Sequence, residues 1–361
     1  MAQNNFHKNF KLNNNSFTNV DELLAYTFDF SKDNYQFLKS WFSDSDFIIV
    51  QTSGSTGKPK PIQLKKELMR NSAFATGVFF KLKENTTALL CLPVEYIAGK
   101  MMLVRALTLG WHIDVVDSNS NPLEAIKQDY DFSAMVPLQV ENSIKNLYKI
   151  KKLIVGGGVV SNQLQEKLQN ISTEVFATYG MTETITHIAV KKLNNITSLR
   201  GRMIKQSLFN EFYKTLPNVN IYKDVKSCLV IDAQKVSEEI IFTNDVVNLI
   251  SENQFEWLGR FDNVINSGGI KLHPEKIEEK LSKIIENRFF VIGIPDDKLG
   301  EKLVLIIEGV ISSTVGESLK ILKSLSKFEI PKEIYFVDEF VETETGKIQR
   351  KMTFKKVINY Y

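Results

Sequence analysis

Thr52-Ser53-Gly54-Ser55-Thr56-Gly57-Lys58-Pro59-Lys60 decides the fold class, because it directly follows an apolar run, Phe47-Ile48-Ile49-Val50, that reads as a buried strand. Glycine lets a backbone come close to a ligand, and its N–H groups then point inward. The hydroxyls add short donors and the lysines add positive charge, which is the chemistry a polyphosphate asks for. The spacing is not that of the common P-loop, whose glycines are separated by four residues and whose lysine opens a helix. Here only Ser55 and Thr56 separate Gly54 from Gly57, and Pro59 biases Lys58 away from helical geometry. The segment is expected to stay a loop, able to close over a triphosphate and reopen.

Working outward, three further strings stand in a telling order. They are Tyr179-Gly180-Met181-Thr182-Glu183-Thr184, then Gly259 to Ile265 with Ser267-Gly268-Gly269-Ile270, and Thr343-Glu344-Thr345-Gly346-Lys347-Ile348. With the first loop, this set resembles the motifs of the adenylate-forming superfamily: acyl-CoA synthetases, adenylation domains and luciferases. The resemblance covers residues from about 50 to 351.

The chain has 361 residues, 43% of them hydrophobic and 24% charged, enough for two domains of an ordinary globular enzyme. A net charge of +3, with no basic stripe carrying aromatics, argues against nucleic acid as a partner. Cys91 and Cys228 lie in apolar runs and read as buried thiols of a reducing compartment. The four histidines, His7, His112, His187 and His273, lack metal-ligand spacing. Met1 to Ser16 is rich in Asn and Lys and carries no signal-peptide core. No run is long enough for membrane insertion. The expected location is cytoplasmic.

Residues 1–20 read as poorly ordered. After them, strand-length apolar runs alternate with helical patterns. Strands are expected at 88–92, 113–116, 132–136, 151–155 and 173–177, with helices at 97–109, 139–147 and from near Ser161, a plausible N-cap. This alternation argues a parallel sheet covered by helices, with ligands at the carboxyl ends of the strands. Beyond Asp262 the pattern changes to a helix at 274–285, strands at 289–293 and 303–307, a helix at 319–325 and a strand at 334–337. The expected fold is α/β: a large N-terminal α/β domain of adenylate-forming type (1–261), shortened at its N-terminus, with a smaller mobile α+β C-terminal domain (262–361).

The resemblance implies roles. Thr52, Ser53, Gly54, Ser55, Thr56, Gly57, Lys58 and Lys60 would grip the phosphates of ATP. Gly156 and Gly157 stand where the family has its adenine loop, although on residues alone they also fit a tight strand-to-helix turn. Tyr179, with Gly180 and Met181, would face adenine. Thr182 would bond the α-phosphate. Glu183 would hold Mg2+, which takes one or two carboxylates plus phosphate and water. Asp245 would bind the ribose hydroxyls and Arg260 the ribose or a phosphate, with Asn244 where the family usually has glycine. Asp262 would be the hinge. Lys347 would bridge the attacking carboxylate and the α-phosphate. Gly268 and Gly269 would line a tunnel for coenzyme A after the small domain rotates.

Leu92-Pro93-Val94-Glu95-Tyr96-Ile97-Ala98-Gly99-Lys100 matches the family's gate segment, with Tyr96 where many members carry histidine. The segments 96–105 and 184–190 resemble those of o-succinylbenzoate–CoA ligases of menaquinone biosynthesis. That acid has a second carboxylate, for which Lys100, Arg105, Thr186 and His187 are candidates. The substrates implied are a small carboxylic acid, ATP and coenzyme A. Another aryl- or acyl-CoA synthetase, a carrier-loading adenylation enzyme and a non-catalytic nucleotide-binding protein remain open at this point, as does the choice between monomer and homodimer.

Overall fold

The computed structural model describes residues 6–51, 61–194, 212–309, 323, 325–343 and 348–358. Its first elements are β1 (Lys11–Leu12), β2 (Asn15–Ser16), α1 (Val20–Phe30), α2 (Lys32–Trp41), β3 (Phe47–Gln51), β4 (Pro61–Lys65), α3 (Lys66–Phe80), β5 (Thr87–Leu90), α4 (Ile97–Leu109), β6 (His112–Val115), β7 (Tyr130–Met135) and α5 (Pro137–Asn142). Then come β8 (Ile150–Val155), α6 (Asn162–Leu168), β9 (Glu174–Gly180), β10 (His187–Lys192), β11 (Tyr213–Thr215), β12 (Asn220–Lys223), β13 (Cys228–Asp232), β14 (Ile241–Ser251) and β15 (Gln254–Arg260). The chain closes with β16 (Ile265–Ser267), β17 (Ile270–Leu272), α7 (Pro274–Leu281), β18 (Phe289–Asp296), β19 (Gly300–Glu308), β20 (Glu333–Val337) and α8 (Arg350–Ile358).

Thirteen strands form one sheet in the order β12-β13-β14-β15-β11-β10-β9-β8-β7-β5-β6-β1-β2. From β9 to β1 neighbouring strands are parallel, as the alternating pattern predicts. From β9 through β10 and β11 to β12 they are antiparallel, which the sequence reading did not separate. Successive residues of the parallel strands feed two cores. Ala88, Leu90, Phe132 and Ile154 pack on the α3–α4 side. Leu89, Cys91, Met135, Leu153 and Val155 pack with α5 and α6. Burial on both faces explains why these strands read as unbroken apolar runs.

Local signals place several elements. Helix α4 spans the expected residues and stops at Gly110, which takes the left-handed conformation (φ 70°). Ser161 does cap α6, its Oγ accepting from Leu164 N at 3.1 Å. The helix expected over 139–147 instead breaks at Ser143 into α5 and a 3-10 turn, Ile144–Lys149.

Two expectations fail. Residues 6–20 are ordered, not loose: Phe6, Phe10 and Leu12 are buried, and β1 pairs with β6, covering that sheet edge. Asn-rich composition hid three anchors spaced along an otherwise polar segment. Likewise Phe47–Val50 is a strand, but a half-buried one: among the described residues it pairs only with β4, antiparallel, and it buries Ile48 and Val50 while Phe47 and Ile49 face out.

Strands β16 to β20 build a second, five-stranded sheet. Helix α7 covers one face through Ile277 and Leu281, and α8 covers the other through Val357. The helix expected at 319–325 falls almost entirely outside the described residues. Among the described residues no helix is long and apolar enough to cross a membrane.

Candidate active site

The carboxyl ends of β8 and β9 lie side by side because the two strands are parallel in register. Gly156 and Gly157 leave the first, and Tyr179 and Gly180 end the second. At Gly180 the crossing backbone leaves no room for a side chain: a Cβ there would stand 2.2 Å from Thr186 O. Thr178 Oγ1 donates to Val155 O at 3.1 Å and ties the two strand ends together.

Tyr179 turns its hydroxyl onto Asp245, donating to Oδ2 at 2.7 Å. Its ring meets Phe255 edge-on, with centroids 5.1 Å apart. Burial, then the adjacent Asp245 charge, pushes the phenol well above its ordinary range, so it stays protonated and a donor. Trp257 Nε1 donates to Asp245 Oδ1 at 3.1 Å. Arg260 stands opposite Asp245 on the neighbouring strand, Nε 4.0 Å from Oδ1. A carboxylate offers about four lone-pair sites. Two are taken here, which leaves capacity for a pair of vicinal hydroxyls. Trp257 went unnoticed in the sequence because its partner lies across a strand pair rather than along the chain. Thr243, only two residues from Asp245, was missed for a different reason: nothing in the letters shows that its Oγ1 turns back to accept from Asp245 N, at 3.1 Å.

Asn244, the residue before Asp245, bonds Asp262 through its side-chain amide. Asp262 is exposed in the short 3-10 turn Phe261–Asn263 that links the two sheets.

Thr182, Glu183 and Thr184 form one 3-10 turn directly after β9. Thr184 is buried, Met181 and Thr182 are half-buried, and Glu183 is exposed. Glu183 makes no ion pair among the described residues. No group of three His, Cys, Asp or Glu among those residues could hold a metal. A cation at Glu183 would therefore draw most ligands from phosphate and water, which suits Mg2+.

A cavity of about 750 Å3 opens beside this node. Gly158, Thr178, Tyr179, Asp245 and Trp257 line one side, and Glu275, Lys276 and Glu279 of α7 line the other. Two contacts cross its rim. Lys276 Nζ meets Glu256 at 2.6 Å, and Asn162 Nδ2 donates to Ser282 Oγ at 2.8 Å and to Glu279 O at 2.7 Å. Burial opposes the Lys276 charge, but the bonds to Glu256 and Glu279 win and raise its pKa.

The candidates for the second carboxylate separate clearly. Lys100 is satisfied by its own loop, donating to Val94 O and Glu95 O at 2.5 and 2.7 Å. Tyr96 is exposed at the start of α4. Arg105 is only 1% exposed, and no carboxylate pairs with it among the described residues. Its Nε reaches Thr76 Oγ1 at 3.3 Å, while one terminal nitrogen has no partner. His187 is buried as well, with Nε2 unpartnered and Nδ1 3.3 Å from Thr186 Oγ1. Burial first, then the Arg105 charge, holds His187 well below the usual histidine range, so it is neutral. It lines a second cavity of about 200 Å3 with Asn71 and Ser72 of α3.

Gly268 and Gly269 make the two-residue turn between β16 and β17, both with positive φ (60° and 82°). That geometry alone calls for glycine in a tight hairpin. Thr52, Ser53, Gly54, Ser55, Thr56, Gly57, Lys58, Lys60 and Lys347 lie outside the described residues.

The chain belongs to the AMP-binding enzyme family, whose signature matches residues 14–209. Among curated proteins it is similar to the 2-succinylbenzoate–CoA ligase of Lactococcus lactis subsp. lactis (strain IL1403), at 26% identity over 316 residues, 84% of this chain and 70% of that one. Among solved structures it is similar to an acyl-CoA synthetase (AMP-forming)/AMP-acid ligase II-like protein from Dyadobacter fermentans DSM 18053. Identity there is 37%, with a TM-score of 0.58, covering 90% of this chain and 93% of the other. It also shares its fold with the o-succinylbenzoate coenzyme A synthetase of Bacillus subtilis in complex with ATP and magnesium ion, at 20% identity and a TM-score of 0.70, covering 93% and 82%.

Proposed function

We propose that this protein is an AMP-forming acid–thiol ligase that converts o-succinylbenzoate to its coenzyme A thioester. The observation that carries the reading is the Asp245 node: a buried carboxylate held by Tyr179 and Trp257 at the wall of a cavity, in a chain of the AMP-binding enzyme family. In the first half-reaction a carboxylate oxygen of the acid attacks the α-phosphorus of ATP. The bond from that phosphorus to the bridging oxygen breaks, and pyrophosphate leaves. In the second, the sulfur of coenzyme A attacks the acyl carbon. The bond from that carbon to the AMP oxygen breaks, AMP departs and the thiol proton passes to solvent.

Asp245 binds the ribose hydroxyls, while Tyr179 and the loop Gly156–Gly158 bound the adenine. Arg260 adds positive charge beside the ribose. Thr182 donates to the α-phosphate. The loop 52–60 holds the outer phosphates, and Lys347 bridges the reacting carboxylate and phosphate. Mg2+ at Glu183 would neutralise charge on the phosphate oxygens. Arg105 and His187 would serve the second carboxylate, since Arg105 keeps an unpartnered terminal nitrogen and His187 an unpartnered Nε2 in a buried setting that offers no acid among the described residues. Residues 1–261 form the AMP-binding body, and 262–361 the unit that swings about Asp262 to bring Gly268-Gly269 to the thiol. The change of sheet between β15 and β16 supports that division. The setting proposed is the cytoplasm, and the pathway menaquinone biosynthesis.

The test is product formation. Purified protein with ATP, Mg2+ and free coenzyme A is given o-succinylbenzoate or a panel of benzoates and short acids. The reading predicts AMP, pyrophosphate and o-succinylbenzoyl-CoA in equal amounts. Absence of thioester with o-succinylbenzoate, beside turnover of another acid, overturns the substrate. Turnover only with a carrier protein overturns the thiol.

A further inference from the structure

The turn after Glu183 is strained. Ile185 has φ 65° and ψ −59°, and Thr186 N donates back to Thr184 O at 2.7 Å. Together these define a γ-turn of the rare positive-φ kind. For a β-branched residue this is a true outlier, since Cβ crowds the backbone. The site does not relax, because its surroundings fix it. Ile185 is 1% exposed and packed in the main core. Thr184, fully buried, accepts from Met181 N at 3.1 Å. Its hydroxyl also lies within donating distance of Met181 O (2.9 Å) and Thr186 O (2.8 Å). Thr186 O in turn presses on Gly180. One side chain thus ties both ends of the turn that carries Thr182 and Glu183.

We propose that Thr184 and Ile185 are positioning residues: the Thr184 hydroxyl and the γ-turn at Ile185 hold Thr182 and Glu183 in the geometry that meets the nucleotide's phosphates and its metal. Strain of this kind persists where the surroundings over-determine it, and it clusters at functional turns. A relaxed Ile185 would let the chain pass from Thr182 to β10 in several ways. The observed one is selected by a hydroxyl that touches neither substrate nor metal. The inference rests on the nucleotide reading above.

The experiment compares Thr184→Val, which removes the hydroxyl at nearly constant volume, with Thr184→Ser, which keeps it. Three quantities are read: affinity for AMP without metal, the Mg2+ concentration that half-saturates ATP binding, and kcat of pyrophosphate release. Thr184→Val should keep AMP binding, which also reports a folded protein. Its half-saturating Mg2+ should rise about tenfold, as for loss of an outer-shell support. Its kcat should fall by about 10- to 100-fold, as for a small misplacement of reacting groups. Thr184→Ser should return both toward wild type, which a purely structural role for the methyl would not. Ile185→Gly frees the same turn without touching Thr184 and should move the metal dependence in the same direction. Wild-type metal dependence and kcat in both Thr184→Val and Ile185→Gly overturn the inference. If the wild-type protein made no thioester, the ligase reading would fail by itself. The metal dependence of ATP binding would still decide the role of the turn.

Discussion

Replacing Arg105 with methionine should move stability and activity in opposite directions. The guanidinium is 1% exposed, bonds Thr76 Oγ1 at a long 3.3 Å, leans on Met102 Sδ at 3.7 Å and leaves one nitrogen unpartnered. Burial pulls its pKa down to about 9, so at neutral pH it remains a charged group with no counter-charge among the described residues. A buried donor left unsatisfied costs about 1–3 kcal/mol, and exchanging buried ions for apolar residues commonly stabilises by about 1–4 kcal/mol. Methionine keeps the stem's packing, and Thr76 still donates to Ser72 O at 3.0 Å. Arg105→Met should therefore stabilise the unliganded protein by about 1–3 kcal/mol at pH 7. The same change would remove the charge-assisted bond proposed for the substrate's second carboxylate, worth about 1.5–3 kcal/mol, or roughly 10- to 150-fold in kcat/KM.

The pH sign follows from the depressed folded-state pKa. Between about 9 and the ordinary arginine range the unfolded chain binds a proton that the folded one has lost. The wild-type penalty is thus complete at pH 7 and eases as pH rises through that window. Denaturant unfolding without ligand gives the stability difference, and pyrophosphate release gives kcat/KM. Unsubstituted benzoate, which lacks the second carboxylate, is the control and should be insensitive to the change. A variant less stable than wild type by a few kcal/mol, or one with unchanged kcat/KM for o-succinylbenzoate, would refute the reasoning.

Three more outcomes are expected. Tyr179→Phe strips one of two donors from Asp245 and should raise the KM for ATP about tenfold, the worth of one hydrogen bond to a charged group; an unchanged KM would remove Tyr179 from the nucleotide site. Cysteines introduced at Asn162 and Ser282, whose side chains touch across the cavity rim, and joined by a short bis-maleimide, should leave one half-reaction intact and abolish the other; retention of both after complete cross-linking would rule out rotation between them. Cys91, whose thiol burial pushes up to about 12, and Cys228, also buried, should resist iodoacetamide at pH 8 until denaturant is added, read by intact mass.

What the sequence disclosed depended on whether the signal was local. Helix α4 and the Ser161 cap were legible because periodicity and capping are written in consecutive residues. The motif Tyr179–Thr184 was legible as a string. Its internal order was not, since nothing in the letters Thr184-Ile185 announces a γ-turn, and isoleucine argues against one. The antiparallel half of the sheet escaped because its strands share no single pattern: β10 and β13 are buried on both faces, while β14 runs eleven residues with mixed burial. Phe6, Phe10 and Leu12 were lost in an Asn-rich background, although three apolar anchors suffice to hold a short edge. Lys100 and Arg105 looked equivalent as cations on one helix. Only packing separates a lysine satisfied by its own loop from an arginine with a donor to spare.

The Asp245 node also bears on how binding would reach the hinge. Adjacent residues of a strand point to opposite faces. On β14 that rule sends Asp245 to Tyr179, Trp257 and the cavity, while Asn244 reaches Asp262. A nucleoside that tightens the hold on Asp245 would therefore act on a strand whose preceding residue bonds the proposed pivot. Glycine, which the family resemblance implies at 244, would lack that grip. Asn244→Gly should then leave AMP affinity within about twofold, since the Asn244 side chain turns to Asp262 and does not line the cavity, and surface substitutions typically cost under 0.5 kcal/mol. It should instead change the ratio of the two half-reaction rates, measured separately as pyrophosphate release and as thioester formation from the preformed adenylate. Equal effects on both rates would mean that the Asn244–Asp262 bond only trims the strand end and has no part in the swing.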